Sequence, residues 1–136
     1  MDRPVVPGEE HVMSTTMRAV RAAADAVRGD RAAAARGLRR AAPPPPAPGR
    51  LDVDRVRAAV EELRPAVDPR DVDLVLAIAL RRLGHDARLV LGREHAPRNR
   101  AAECAVWVEV DGRVVSTTEP VHEVFRVLAR LPGGDR

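Results

Sequence analysis

The stretch ECAVWVEVDGRVV, Glu103 to Val115, decides how the chain folds. From Cys104 to Val110 the residues alternate in size and polarity and are rich in valine, which reads as a strand. Asp111-Gly112 follows, a dipeptide suited to the two left-handed positions of a tight hairpin turn. Arg113 to Ser116 then returns as a further strand. The same stretch holds the chain's only cysteine and only tryptophan. It therefore also poses a chemical question: Cys104 is either a nucleophile or a small residue packed on a strand.

Upstream, Ala87 to Leu91 reads as a strand ending at Gly92, and residues 93–102 as a polar, arginine-bearing loop. Before it lies DPRDVDLVLAIALRRLG, Asp68 to Gly84. Asp68 suits a helix N-cap and Pro69 the first helical position, while Asp71 stands where a capping box places its acid. Val72 to Leu80 is apolar nearly all round, which predicts a helix buried on most sides. Arg81 and Arg82 suit its negative end, and Gly84 a left-handed stop. Leu51 to Ala66 forms the preceding helix, with Val56, Ala59, Val60 and Leu63 on one face and Pro65 ending or kinking it. Downstream, Val121, Val124, Phe125 and Leu128 predict a short terminal helix over Glu119 to Leu131. Helices first, then an antiparallel three-stranded meander, then a helix make an α+β fold.

The N-terminal third is a separate problem. Met13, Met17, Val20, Ala24, Val27, Ala34 and Leu38 recur at helical spacing, with a cap expected at Ser14, Thr15 or Thr16 and a break at Gly29-Asp30. The four consecutive prolines of APPPPAPG, Ala42 to Gly49, belong to neither helix nor sheet and favour a stiff spacer. The expected division is a basic helical arm over 1–42, a proline-rich link over 43–50 and a core over 51–136.

Composition narrows the function classes. All 23 basic residues are arginine, and against 20 acids they leave a formal charge of +3. The excess lies in residues 1–50, with nine arginines against five acids. No aromatic residue interleaves those arginines, so nucleic-acid stacking has no platform, and a solvated helix face is the favoured reading. Trp107 and Phe125 are the only aromatic residues, so the core is built from Ala, Val and Leu. One cysteine excludes an internal disulfide and a cysteine-based zinc site. No stretch approaches the ~20 apolar residues of a membrane span. With no signal-like apolar segment in MDRPVVPGEE, a cytoplasmic protein without membrane attachment is expected.

The helix AIALRRLG (Ala77 to Gly84), the strand DARLVLG (Asp86 to Gly92) and the hairpin VWVEVDGRVV (Val106 to Val115) together resemble the leader peptidases of lasso-peptide biosynthesis. These are small transglutaminase-like, papain-related proteins, and the resemblance covers roughly residues 51–130. It implies a cysteine at the start of the buried helix, a histidine two residues before the tryptophan, and an acid on the next strand. A helix N-terminus stabilises a thiolate, and an oriented imidazole activates it. This chain departs at each place. Nothing over Pro69 to Asp71 is Cys or Ser, Ala105 stands at the histidine position, and Ser116 and Thr117 replace the acid.

The candidate residues follow from this comparison. Cys104 is a candidate catalytic thiol; alternation puts it on the face of Val106 and Val108, away from Ala105, and packing is the favoured reading. His122 and Asp73 are candidate acids or bases. Asp71, Asp73, Trp107 and Glu109 are candidate ligand contacts in a groove between the buried helix and the meander. Capping is favoured for Asp71, core packing for Trp107, and a solvent- or arginine-facing position for Glu109. His95 with Glu94, and His122 with Glu123, lack metal-ligand spacing, so neither metal nor cofactor is expected. The expected function is a divergent, triad-less member of this family. It would bind a peptide or small molecule, with a biosynthetic protein as a further partner, in peptide natural-product or other secondary-metabolite biosynthesis. The alternatives are acid/base chemistry in the same groove, for cyclisation or acyl transfer, and residual peptidase activity through Cys104.

Overall fold

The computed structural model describes residues 7–42, 53–95 and 100–133, with the backbone alone over 7–14. The proline-rich link over 43–50 lies outside the described residues. Helices α1 (Pro7–Gly29), α2 (Arg31–Arg39), α3 (Val53–Leu63) and α4 (Val72–Arg82) come first. Strands β1 (Ala87–Glu94), β2 (Cys104–Val110) and β3 (Arg113–Val114) follow, then the short helix α5 (Val121–Val124) and strand β4 (Phe125–Leu131). The architecture is α+β. Among the described residues no helix is long and apolar enough to cross a membrane.

Helix α4 lies on the sheet, and α1 and α3 pack against α4, with α2 on α1. Seven apolar residues of α4 are buried, from Val72 to Leu80, and at ~1.5–3 kcal/mol for each fully buried large aliphatic side chain α4 dominates the core. Val20, Ala23, Ala24 and Val27 of α1, Leu38 of α2 and Val56, Ala59 and Val60 of α3 join the same cluster. The small alanines allow close helix approach, so a core almost without aromatic residues still excludes water. Asp30 breaks α1 from α2 and caps the latter, accepting from Ala33 N–H at 3.0 Å. α1 itself starts at Pro7, ahead of the cap positions expected at Ser14 to Thr16.

The turn into α4 differs in detail from a capping box. Asp68 caps a 3₁₀ turn, Pro69–Asp71, by accepting from Arg70 N–H at 2.9 Å. Arg70's guanidinium, with that amide, draws the Asp68 carboxyl down to about 2. Asp71 makes no capping bond; its buried carboxylate accepts two bonds from the Arg31 guanidinium, tying α2 to the start of α4. At the other end Gly84 takes φ 91° and ends the helix as expected.

The sheet has four strands in the order β3-β2-β1-β4, where the sequence predicts three. Asp111 and Gly112 carry positive φ values of 51° and 80°, forming the tight turn between β2 and β3. The terminal helix expected over Glu119 to Leu131 is the main correction. Only Val121–Val124 is helical, and Phe125–Leu131 pairs antiparallel with the free edge of β1. The physical reason is a bulge. Leu91 faces Ala129 and Gly92 faces Val127, so Leu128 is an extra residue. It interrupts the period of two and leaves apolar residues at spacings that mimic a helix, while pairing there satisfies the backbone groups along the otherwise free edge of β1.

Strand alternation then sorts the side chains. Ala87, Leu89, Val108, Val110 and Leu131 meet the helices. Val90, Trp107, Val121, Phe125 and Val127 form a second, smaller core on the outer face. Trp107 is 1% exposed, and its ring lies over Gly92. A β-carbon on Gly92 would meet Trp107 Cη2 at 2.5 Å and the Phe125 β-carbon at 3.0 Å. Gly92→Ala is therefore expected to destabilise the chain by about 1–3 kcal/mol through overpacking, read as a lower urea midpoint. An unaltered midpoint would mean that the ring is not pinned there.

Candidate functional site

On the outer face a carboxylate, an imidazole and a guanidinium converge. Glu109 follows Trp107 by two residues on β2 and so shares its face. It is 4% exposed, neither solvent-facing nor left without partners. Trp107 Nε1–H donates to Glu109 Oε2 at 2.9 Å. His122 Nε2 stands 3.2 Å from the same oxygen, and Arg130 Nε–H donates to Oε1 at 3.5 Å. A buried carboxylate is costly unless its lone pairs are taken, and here three side chains take them.

Each partner arrives by a separate structural route. Val121 buries itself against Val90 and Trp107, which sets α5 across the outer face and delivers His122 beside the indole. The two rings meet edge to face, 5.7 Å apart at 84°. Arg130 pairs with Val90, and Val90 with Trp107, so the three lie in one row across β4, β1 and β2. The bulge at Leu128 makes this possible: it puts Arg130 on the same face as Val127, which an unbroken strand would not.

Above the carboxylate opens a cavity of about 370 Å³, completed by Asp86, Arg88, Asp111 and Gly112. Arg88 is the direct cross-strand neighbour of Glu109. Asp86 is paired with Arg81 at 3.2 Å. With His122 Nε2 turned to Glu109, Nδ1 is left as the basic nitrogen. The arrangement can orient a polar or anionic ligand through Arg88 and Arg130, and can accept or return one proton at His122. Sequence reasoning singled out Trp107, Glu109 and His122 but not Arg88 or Arg130. Their role needs the β1–β2 register and the fourth strand, neither of which has a local signal.

The other candidates lie elsewhere. Asp71 is committed to Arg31 on the far side of α4. Asp73 lines a second cavity of about 310 Å³ between α3 and α4, with Arg64 and Ser116 among its walls. Trp107 does not border that space, because it projects from the sheet face turned away from α4. Cys104 is exposed opposite Arg93, and no histidine bonds to it among the described residues. By strand rise it sits roughly 17 Å from Glu109. No group of three or more His, Cys, Asp or Glu suited to a metal ion occurs among the described residues.

Comparison with family models, with curated proteins and with solved structures returned no match to this chain.

Two outcomes test these assignments. Glu109→Gln keeps the shape but removes the charge, and should cost about 1–3 kcal/mol in denaturant unfolding. Arg130→Ala, at the exposed end of the same cluster, should cost less than about 1 kcal/mol. Equal costs would show that Glu109 is not the hub. Asp73 gives a pH test. Burial pushes its carboxyl up, opposed by the Arg64 charge. The folded chain thus holds this proton more tightly than the unfolded chain, and stability falls as pH rises through the folded-state value. Asp73→Asn should raise the melting temperature at neutral pH by a few degrees, and the gain should vanish below the ordinary carboxylate value of 3.8.

Proposed function

We propose that this chain is a transglutaminase-like protein without the Cys-His-Asp triad, which binds a peptide or small molecule through the outer-face cavity built on Glu109. One observation carries this reading. A carboxylate 4% exposed is held by three side chains directly beneath an open cavity, and Arg88, with no bonding partner among the described residues, borders the same space. A purely structural tie between strands does not require an unpaired cation at its mouth. The pathway, peptide natural-product or other secondary-metabolite biosynthesis, rests on the resemblance of the helix and hairpin motifs. A precursor-peptide gene, an ATP-dependent cyclase and an exporter beside the coding sequence would support it.

Binding is tested by titrating N-acetyl amino acids and dipeptides, read by calorimetry and by emission from Trp107, the chain's single tryptophan. Arg88→Ala should weaken binding roughly tenfold or more, the value of one or two charge-assisted hydrogen bonds. Asp73→Asn should leave it unaltered. Binding that survives Arg88→Ala but fails in Asp73→Asn would move the site to the α3–α4 cavity; no binding in any titration would remove the proposal.

A second reading has its own support, the 3.2 Å approach of His122 to Glu109. In that geometry Glu109 orients the ring and His122 Nδ1 acts as the base in an acyl transfer or cyclisation. Hydrolysis of p-nitrophenyl acetate that falls ~100-fold in His122→Gln would favour it. Turnover that instead depends on Cys104 would restore the thiol peptidase alternative.

A further inference from the structure

The helices do not cover the whole inner face of the sheet. Beyond the row Val108, Leu89 and Leu131 lies the row Val106, Leu91 and Ala129, with Leu128 bulged beside Ala129. Val106, Leu91 and Leu128 are 46%, 37% and 47% exposed. The row after that is Cys104, Arg93 and Arg126, all exposed. At the same level on the outer face, Gly92, Ala105 and Val127 are buried or half-buried. Exposure here belongs to one face, not to a frayed strand end.

The two arginines are the informative pair. Arg93 and Arg126 stand directly opposite one another on neighbouring strands, where like charges repel. Neither guanidinium has an ion pair or hydrogen bond among the described residues. Glu94, next to Arg93, and Glu103, next to its register partner Cys104, are engaged by another cation: Arg100 lies 2.8 Å from Glu94 and 3.6 Å from Glu103. An apolar row thus ends in a cationic row whose repulsion an external carboxylate would relieve. A second copy of the chain fits poorly, since it offers the same cations, and the bulge and arginines of β4 blunt edge-to-edge pairing. A polynucleotide fits poorly too, because the exposed row is aliphatic and holds no stacking ring.

We propose that this end of the inner face docks an acidic segment of a partner protein, its carboxylates on Arg93 and Arg126 and its apolar side chains on Leu91, Val106 and Leu128. The surface is independent of the outer-face cavity, so either assignment can fail without the other.

Cys104 supplies the readout, being the only thiol and next to Arg93 in the cationic row. Its alkylation by iodoacetamide, followed by mass spectrometry on the full chain, would be measured with a short peptide alternating Glu and Leu. At about ten times the peptide's Kd, alkylation should slow roughly tenfold, and added salt should reduce the protection. A peptide with Gln for Glu, or Ser for Leu, should not protect. The double variant Arg93→Glu, Arg126→Glu, checked for an unaltered melting temperature, should lose protection by the Glu peptide and gain it from one alternating Lys and Leu. Equal protection of wild type and double variant would overturn the proposal. So would protection by single-stranded RNA in place of the peptide, a homodimer that itself shields Cys104, or no protection at all.

Discussion

The closure of this protein's outer face depends on the Glu109 carboxylate. It is buried and charged, a state tolerable only while Trp107, His122 and Arg130 supply its hydrogen bonds and counter-charge. These partners belong to β2, α5 and β4, so one side chain on β2 draws the C-terminal segment back over the sheet. The indole is held from both sides, its nitrogen by Glu109 and its ring by the space above Gly92. A core with two aromatic residues has little redundancy. Removing this contact exposes the largest buried side chain in the molecule.

The two faces of the sheet serve different ends. The inner face packs against α4, which α1 and α3 cover in turn, and this side of the sheet is mainly hydrophobic. Its polar ties, such as Arg31 with Asp71, lie at helix ends, where they fix the geometry of chain reversals. The outer face is thinly covered by α5, and there polar groups do the holding. That division explains why the cavity with acid, base and cation opens outward, and why it is separate from the Asp73 space between α3 and α4.

Much of the helical layer was legible locally. Asp30 breaks and caps, Pro69 starts a turn, and Gly84 stops α4, because such preferences act within a few residues. The Asp111-Gly112 turn was legible for the same reason, since only a short list of residues tolerates two successive positive φ values. The C-terminal strand was not. Val121, Val124, Phe125 and Leu128 fit a helical stripe, and the bulge that places them on a strand arises only from pairing with β1. Asp71 was misread in the same way: its spacing suits a cap, but its partner lies forty residues upstream in α2.

The sequence by itself determined an α+β chain, a buried α4, a hairpin at Asp111-Gly112, and Trp107, Glu109 and His122 as residues of note. Tertiary structure alone decided that those three meet, that Arg88 and Arg130 join them, and that Cys104 stands apart on the other face. The reason is range: caps, turns and periodicity are written in neighbouring residues, whereas a buried carboxylate's partners are chosen by register and strand order, which summed long-range packing sets.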